Sequence, residues 1–247
     1  MSVAASRQAE PATLDLQSID QAEQAVSALM TDAAAAIRQR VLANGKISGA
    51  ALDREQHAAH GLAWLATYVE IVRQLNAYAK RMKDAGRFGE IERLLVTIGL
   101  AETLAQIFGG IPMNQGEFVR LEALGVKEEK IAQRKTSAIK ALIAEGTTPE
   151  IRARLAALIG QSDGTIGDDG LDETLAAMRA EMRRFANDEV LPHAHEWHLK
   201  NAYIPLEVIA HMAELGVFGL TIPEEFGGLG LGKESMCVVS DELSRGY

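Results

Sequence analysis

The sequence predicts an all-α protein in two parts, a helical bundle followed by a smaller helical domain. Three observations predict it. Apolar residues recur at three- and four-residue spacing over long stretches. No stretch alternates apolar and polar residues over a useful strand length. Glycine, proline and aspartate cluster at intervals that suit helix ends and links. With 247 residues, 47% of them hydrophobic, there is material for one or two cores.

Residues 1–17 are read as a flexible N-terminus. The opening MSVAASRQAEPATLDL has one arginine and no apolar run of seven, so it is not a secretory signal, and a cytoplasmic location is expected. A first helix is predicted over about 19–42, alanine-rich, with Ala22, Val26, Leu29, Ala33 and Ile37 forming a stripe. Gly45 and Gly49 punctuate the link to a second helix over about 53–84. There Leu62, Leu65, Val69, Val72, Leu75 and Ala79 share one face, with Arg54, Arg73, Lys80 and Arg81 elsewhere. A third covers about 90–109 and is broken by Gly110 and Pro112. Residues 94–113 are nearly free of charge and about long enough to span a bilayer. Glu102, Thr97, Thr103, Gln106, three glycines and Pro112 argue instead for burial within a bundle or at a subunit interface.

Asn114 is placed to cap a further helix through Leu124, closed by Gly125. Helices over about 128–144 and 149–159 complete a set whose short links favour antiparallel packing, so residues 18–160 are expected to form a bundle. Residues 161–170, rich in glycine and aspartate, read as a linker. The remaining domain, 171–247, carries three stripes: Leu171, Leu175, Met178, Met182 and Phe185; Leu206, Ile209, Met212 and Leu215; and Met236, Val239 and Leu243. Pro205 suits a first helical position and Gly216 the left-handed position that ends that helix. Gly227, Gly228, Gly230 and Gly232 allow tight turning and close approach. The GGLGLG they form aligns only loosely to GxGxxG and follows no buried strand, so it is not read as a phosphate loop.

Taken together, the helix-ending ELG, the P-E-E-F-G-G-x-G that follows, and D-E-L-S-R-G resemble the N-terminal helical domain of the acyl-CoA dehydrogenases. The resemblance runs from about Asp168 to Tyr247. Upstream, Phe185 to Pro192 fits the family's opening helix and Tyr203-Ile-Pro205 the extended link after it. It implies a flavoenzyme that binds FAD, takes an acyl-CoA substrate, passes electrons to an electron-transferring flavoprotein and assembles as a homo-oligomer. A β-domain, a C-terminal bundle and the glutamate base would all lie beyond Tyr247, so the chain is expected to be truncated before the chemistry. No catalytic residue, cofactor-binding residue or metal ligand is assigned within 1–247. The extension ahead of the domain departs from the ordinary family architecture. It looks most like that of the branch oxidising (2S)-methylsuccinyl-CoA to mesaconyl-CoA in the ethylmalonyl-CoA route of acetate assimilation. The alternative is a non-catalytic helical scaffold that borrowed the domain.

Several residue groups invite other chemistry. His193, His195 and His198 with Glu196, and the pair His57 and His60, could ligate a metal by count; yet the first group follows Pro192 at a helix end and reads as a surface link with incidental imidazoles, and the pair reads as packing or solvated. Lys127, Lys130, Arg134, Lys135 and Lys140 could meet CoA phosphates but read as a solvated face balanced by Glu128, Glu129 and Glu145. Trp64, Tyr68 and Tyr78 read as packing anchors. The net charge of −9 argues against a nucleic-acid partner, and Cys237 alone permits no intrachain disulfide.

Overall fold

The computed structural model describes residues 15–162 and 166–247. Residues 1–14 of the expected N-terminal tail and 163–165 of the expected linker lie outside the described residues. The protein is all-α with two small hairpins, and it divides into two units, the first ending at Gly170 and the second running from Leu171 to Tyr247.

In the first unit, α1 (Leu16–Val41) begins where the Asp15 carboxylate accepts from Gln17 N, and it buries Ile19, Ala22, Ala25, Val26, Leu29, Ala33, Ile37 and Val41. Small residues on that stripe let α3 (Gln56–Asp84) approach closely, burying Ala58, Gly61, Leu65, Val69, Val72, Asn76, Ala79 and Met82. Asn76 is the one polar member of that seam. Its amide donates to Asp20 Oδ1 at 2.7 Å and Glu23 Oε2 at 2.5 Å, which ties the α1–α3 register to a single pairing. Between the two long helices lie a short hairpin, β1 (Leu42–Ala43) with β2 (Lys46–Ile47), and α2 (Gly49–Arg54), capped by Ser48. The predicted second helix is thus α3, which starts at Gln56 after a break at Glu55, and the short α2 before it was not predicted.

The third long helix, α4 (Glu90–Gly109), explains its near-absence of charge by position: it contacts α3, α6 and α7 and buries nine residues. No helix among the described residues is long and apolar enough to cross a membrane. The predicted helix over 114–124 is not formed. Residues 111–119 are a hairpin, β3 (Ile111–Asn114) paired antiparallel with β4 (Glu117–Val119). Gly61 leaves room for it on α3: a Cβ there would lie 2.4 Å from Val119 Cγ2. Ile111, Val119, Leu121, Leu124 and Val126 then reach the core, and Gly125 closes the turn at φ +86°. The predicted helix over 128–144 is also two, α5 (Glu128–Arg134) and α6 (Ser137–Gly146), because the Thr136 hydroxyl accepts from Ile139 N and starts a new helix. Thr148 caps α7 (Pro149–Gln161) in the same way, with proline at its first position.

The second unit opens with α8 (Glu173–Phe185), capped by Asp172. A π-turn over Ala186–Val190 leads directly into α9 (Leu191–Leu199). An extended link precedes α10 (Leu206–Glu214), a glycine-rich loop follows, and α11 (Lys233–Gly246) packs back on α8.

Candidate functional site

The chemistry-bearing groups of the second unit sit on the α8–α11 seam, on the π-turn and in the loop 216–232. On the seam, Glu242 is 1% exposed and faces α8. Arg183 clamps it with both arms, Nε to Oε2 at 2.9 Å and Nη2 to Oε1 at 2.6 Å, while Arg179 stands at 3.5 Å and Arg245 at 3.9 Å. A fork-to-fork pair of this kind is geometrically exacting. The Arg183 hydrogen bonds hold the Glu242 carboxyl below the usual carboxylate range, against the opposing effect of burial. Glu242 was not singled out by sequence. Its signal lay in spacing: it shares a face with Val238, Val239 and Gly246, while Arg179 and Arg183 stand four apart on α8. Of the predicted α11 stripe, Val239 is buried and Leu243 packs against the core, and only Met236 is corrected. Ser235, Val238, Val239, Glu242 and Gly246 point inward, and Met236 is 40% exposed.

The π-turn corrects the reading of residues 193–198 as a surface link. Proline in a helix interior lacks a donor and crowds the carbonyl four residues earlier. The wider turn at 186–190 opens the ladder just there, and the helix continues through Pro192 to Leu199. His193 stacks on Trp197 with ring centroids 5.6 Å apart, Glu196 pairs with Lys200, and His195 and His198 are exposed. His60 accepts from Trp64 Nε1 at 3.0 Å, and His57 is exposed. No cluster of three or more His, Cys, Asp or Glu suited to a metal exists among the described residues. On α10, His211 Nδ1 lies 2.7 Å from Glu189 Oε1, whose carboxylate raises the imidazole above its ordinary value. Phe185 packs edge-on against the same ring.

The loop is a self-contained pinch. Gly216 ends α10 in the left-handed region at φ +78°, as its position predicts. Gly228 N donates to Pro223 O at 3.2 Å, Leu229 N to Gly219 O at 2.9 Å, Gly230 N to Ile222 O at 2.8 Å and Leu231 N to Leu220 O at 2.8 Å. The amides of Gly228, Leu229, Gly230 and Leu231 are thus spent inside the loop and are not free to cradle the pyrophosphate of a flavin dinucleotide. What the loop offers outward is apolar. Phe218, Ile222, Phe226 and Leu229 are 56%, 42%, 75% and 45% exposed, and Leu206 and Tyr203 beside the start of α10 are 79% and 97% exposed. Scattered apolar side chains are ordinary on a surface, but several on one rigid loop mark an interaction face.

In the first unit the aromatic anchors pack as expected: Trp64, Tyr68 and Tyr78 lie against the core, and the Tyr68 hydroxyl meets Gln106 Oε1 at 2.5 Å. The basic cluster is not gathered into one site. Lys130 pairs with Asp32 at 2.6 Å, and Lys135 lies over the Phe108 ring at 5.6 Å. A shallow cavity of about 340 Å³ is lined by Asp15, Leu16, Lys83, Gly86, Phe88 and Arg93.

Comparison with known proteins bears on both units. The family model for the acyl-CoA dehydrogenase N-terminal domain matches residues 172–247. A (2S)-methylsuccinyl-CoA dehydrogenase of Cereibacter sphaeroides is 52% identical over 224 residues, 90% of this chain and 40% of that protein. A glutaryl-CoA dehydrogenase of Desulfococcus multivorans is 37% identical over 81 residues, 32% of this chain and 21% of its own length. The mitochondrial isovaleryl-CoA dehydrogenase of Arabidopsis thaliana is 37% identical over 76 residues, 30% and 18% respectively. The chain thus spans well under half the length of these relatives. The two shorter matches have room for the second unit alone, whereas the Cereibacter match covers far more than that unit can supply.

Proposed function

We propose that this chain, whose residues 172–247 are an acyl-CoA dehydrogenase N-terminal domain, is the N-terminal part of a flavin-dependent enzyme that oxidises (2S)-methylsuccinyl-CoA to mesaconyl-CoA. The observation that carries the substrate is the likeness to the Cereibacter protein over 90% of the chain, so that the bundle is shared along with the family domain. The remaining parts of the enzyme supply the chemistry. FAD, the glutamate base and the electron-transferring flavoprotein contact belong to segments outside 1–247, in keeping with a glycine run whose amides at 228–231 pair within the loop. Such an enzyme acts in the cytoplasm as a homo-oligomer.

The part played by these residues is structural and steric. The loop face of Phe218, Ile222, Phe226 and Leu229 covers the middle domain and helps wall the acyl pocket. Displacing water from that pocket strengthens every electrostatic interaction on the thioester. When bound, the flavin would supply the hydride acceptor for the β-carbon, and a glutamate of the downstream segments the base for the α-proton. The Glu242–Arg183 clamp holds α11 on α8 and so fixes the loop that α11 anchors.

The test is reconstitution. The chain is expressed alone and again joined to the downstream portion of the Cereibacter relative, and each is assayed for flavin absorbance and for mesaconyl-CoA formation. The chain alone is expected to carry no flavin band and the fusion to turn over methylsuccinyl-CoA. Stoichiometric flavin on the isolated chain, or a folded flavin-bearing fusion that prefers an unbranched monocarboxylic thioester, would overturn the proposal.

A further inference from the structure

Residues 166–170 were expected to be a tether, yet their described atoms are gripped by the first unit. Asp168 is the centre of the grip. Its backbone N donates to Glu92 Oε1 at 2.8 Å, and Glu92 is itself buried at 7% exposure. Its backbone carbonyl accepts from the Tyr78 hydroxyl. Its carboxylate takes Arg87 Nη1 at 3.0 and 2.7 Å, and one of the same oxygens accepts from Gly170 N at 2.9 Å. Every polar group that Asp168 owns is therefore matched by a partner.

The glycines on either side make the close approach possible. Gly167 is at φ +75°, and a Cβ there would lie 3.0 Å from Glu92 Oε1 and 3.1 Å from Ile91 Cγ2. Gly170 is at φ +66°, with Met82 Sδ 3.1 Å from the same imagined atom. Left-handed backbone at a glycine on both sides of an aspartate, each packed tightly on side chains of the bundle, is a shaped seat. The hydroxyl of Tyr78 is pushed up to about 12, by burial first and by the neighbouring Glu92, Asp168 and Asp169 carboxylates, so it remains a donor throughout the neutral range.

We propose that this segment is a latch: the bundle corner formed by Tyr78, Arg87 and Glu92 holds Asp168, so that the chain leaving the bundle is fixed almost at the start of the next domain. The consequence is arithmetic. Ten residues, 162–171, separate Gln161 at the end of α7 from the α8 cap Asp172, but only three, 169–171, separate the latched Asp168 from that cap. At about 3.5 Å per residue, a free link would reach to roughly 38 Å and a latched one to roughly 14 Å. The latch thereby leaves only residues 169–171 as free link before the α8 cap, whichever substrate the whole enzyme takes. Since Arg87 and Asp168 are partly exposed, salt weakens the latch.

Two readouts on the 247-residue chain test this. Hydrogen exchange at the Asp168 and Gly170 amides reads the latch directly. A fluorescent pair, one dye on the native exposed Cys237 and one on a Lys46→Cys substitution in the β1–β2 hairpin, reads the spread of distances that the link permits. The parent is expected to protect both amides and to give a narrow distribution. Asp168→Ala should exchange at least roughly tenfold faster at those amides and broaden the distribution, since it deletes a charge-assisted bidentate pair. Asp168→Asn, which keeps an acceptor for Gly170 N but loses the charge facing Arg87, should fall between. Circular dichroism confirms that the bundle stays folded in each. Unprotected amides in the parent, or an Asp168→Ala variant that is folded and indistinguishable from the parent in both readouts, would overturn the latch.

Discussion

Gly228→Ala is expected to unfasten the glycine loop, and the structure gives the size of the effect. A Cβ on residue 228 would lie 2.1 Å from Ile222 O, 2.4 Å from Ile222 Cβ and 2.6 Å from Ile222 C, where real Cβ atoms keep at least 3.0 Å. Two of these three atoms are backbone, so no rotamer change relieves the clash. The strand of loop must move by roughly 1 Å, a displacement of the kind that overpacking imposes at about 1–3 kcal/mol. The same movement pulls at Gly230 N to Ile222 O and Gly228 N to Pro223 O, each worth about 1 kcal/mol net. The second unit should therefore lose about 2–4 kcal/mol. Gly227→Ala is the control: its φ is +82° with nothing within 4 Å, so only the left-handed penalty of about 1–2 kcal/mol applies. Urea unfolding followed by Trp197, in a Trp64→Phe background so that one indole reports, measures both. A Gly228→Ala midpoint equal to the parent's, or a smaller shift than Gly227→Ala gives, would refute the claim that close approach to Ile222 dictates glycine here.

Two charged pairs make pH-dependent predictions of opposite sign. Glu242→Leu leaves the Arg183, Arg179 and Arg245 charges facing an apolar group and should cost about 3 kcal/mol or more. In the parent, the depressed Glu242 carboxyl contributes stability above its ordinary value of 4.5, and that contribution is lost as pH falls through the lower folded value. Acid titration of the second unit should show this loss, and the variant should not. His211 works the other way: its folded value is raised by Glu189, so the pair is fully stabilising below the ordinary 6.5 and lost as pH rises through the folded value. Unfolding midpoints taken from acid to alkaline across that window should fall in the parent and stay flat in His211→Phe.

The long helices were legible because their apolar stripes are unbroken: the α1 and α3 residues named from spacing are almost all in the seam that those helices share. Sequence failed where a local signal admits more than one outcome. The 111–119 hairpin packs where Gly61, some fifty residues earlier, leaves room, and the turn signal of Asn114 and Gly116 reads equally as a helix cap. The break at 135–136 turned on a Thr hydroxyl preferred as a cap over a helix interior, a local signal that a run of good helix formers concealed. Pro192 was read as a helix end, the usual outcome, and only the π-turn before it allows the helix to pass. In the loop, glycine density rightly suggested close approach at Gly228. The reason proved to be a neighbouring carbonyl rather than a left-handed torsion, which instead governs Gly227 and Gly230. Glu242 was missed because its place on the Val238–Val239 face gains meaning only once Arg179 and Arg183 of α8 are set beside it.

The two units should differ in stability, and their cores say where the difference appears. The first gathers long helices around one cluster that includes Ile19, Leu29, Leu65, Leu100, Leu104 and Ile107, each 1% exposed or less. The second closes around Met182, Leu220 and Val239, with Met178, Leu215, Val217, Leu231 and Leu243 only partly covered. A domain of that size is marginal even with a good core. Within it α10 buries no residue at all; what holds it is His211 on Glu189 and Phe185 together with the loop that Gly216 begins. Local opening follows buried contact, so α10 and α9, which likewise buries no residue, should exchange fastest among the helices of the second unit, and well before the centre of α3. Joining the downstream portion of the enzyme should cover the Leu206 and Phe226 face and slow α10 far more than α3, because a partner that binds only the folded form stabilises what it touches. Exchange mass spectrometry on the chain and on the fusion measures this. If α10 in the isolated chain proves as protected as α3, the outward apolar face is not a missing contact and the unit is complete in itself.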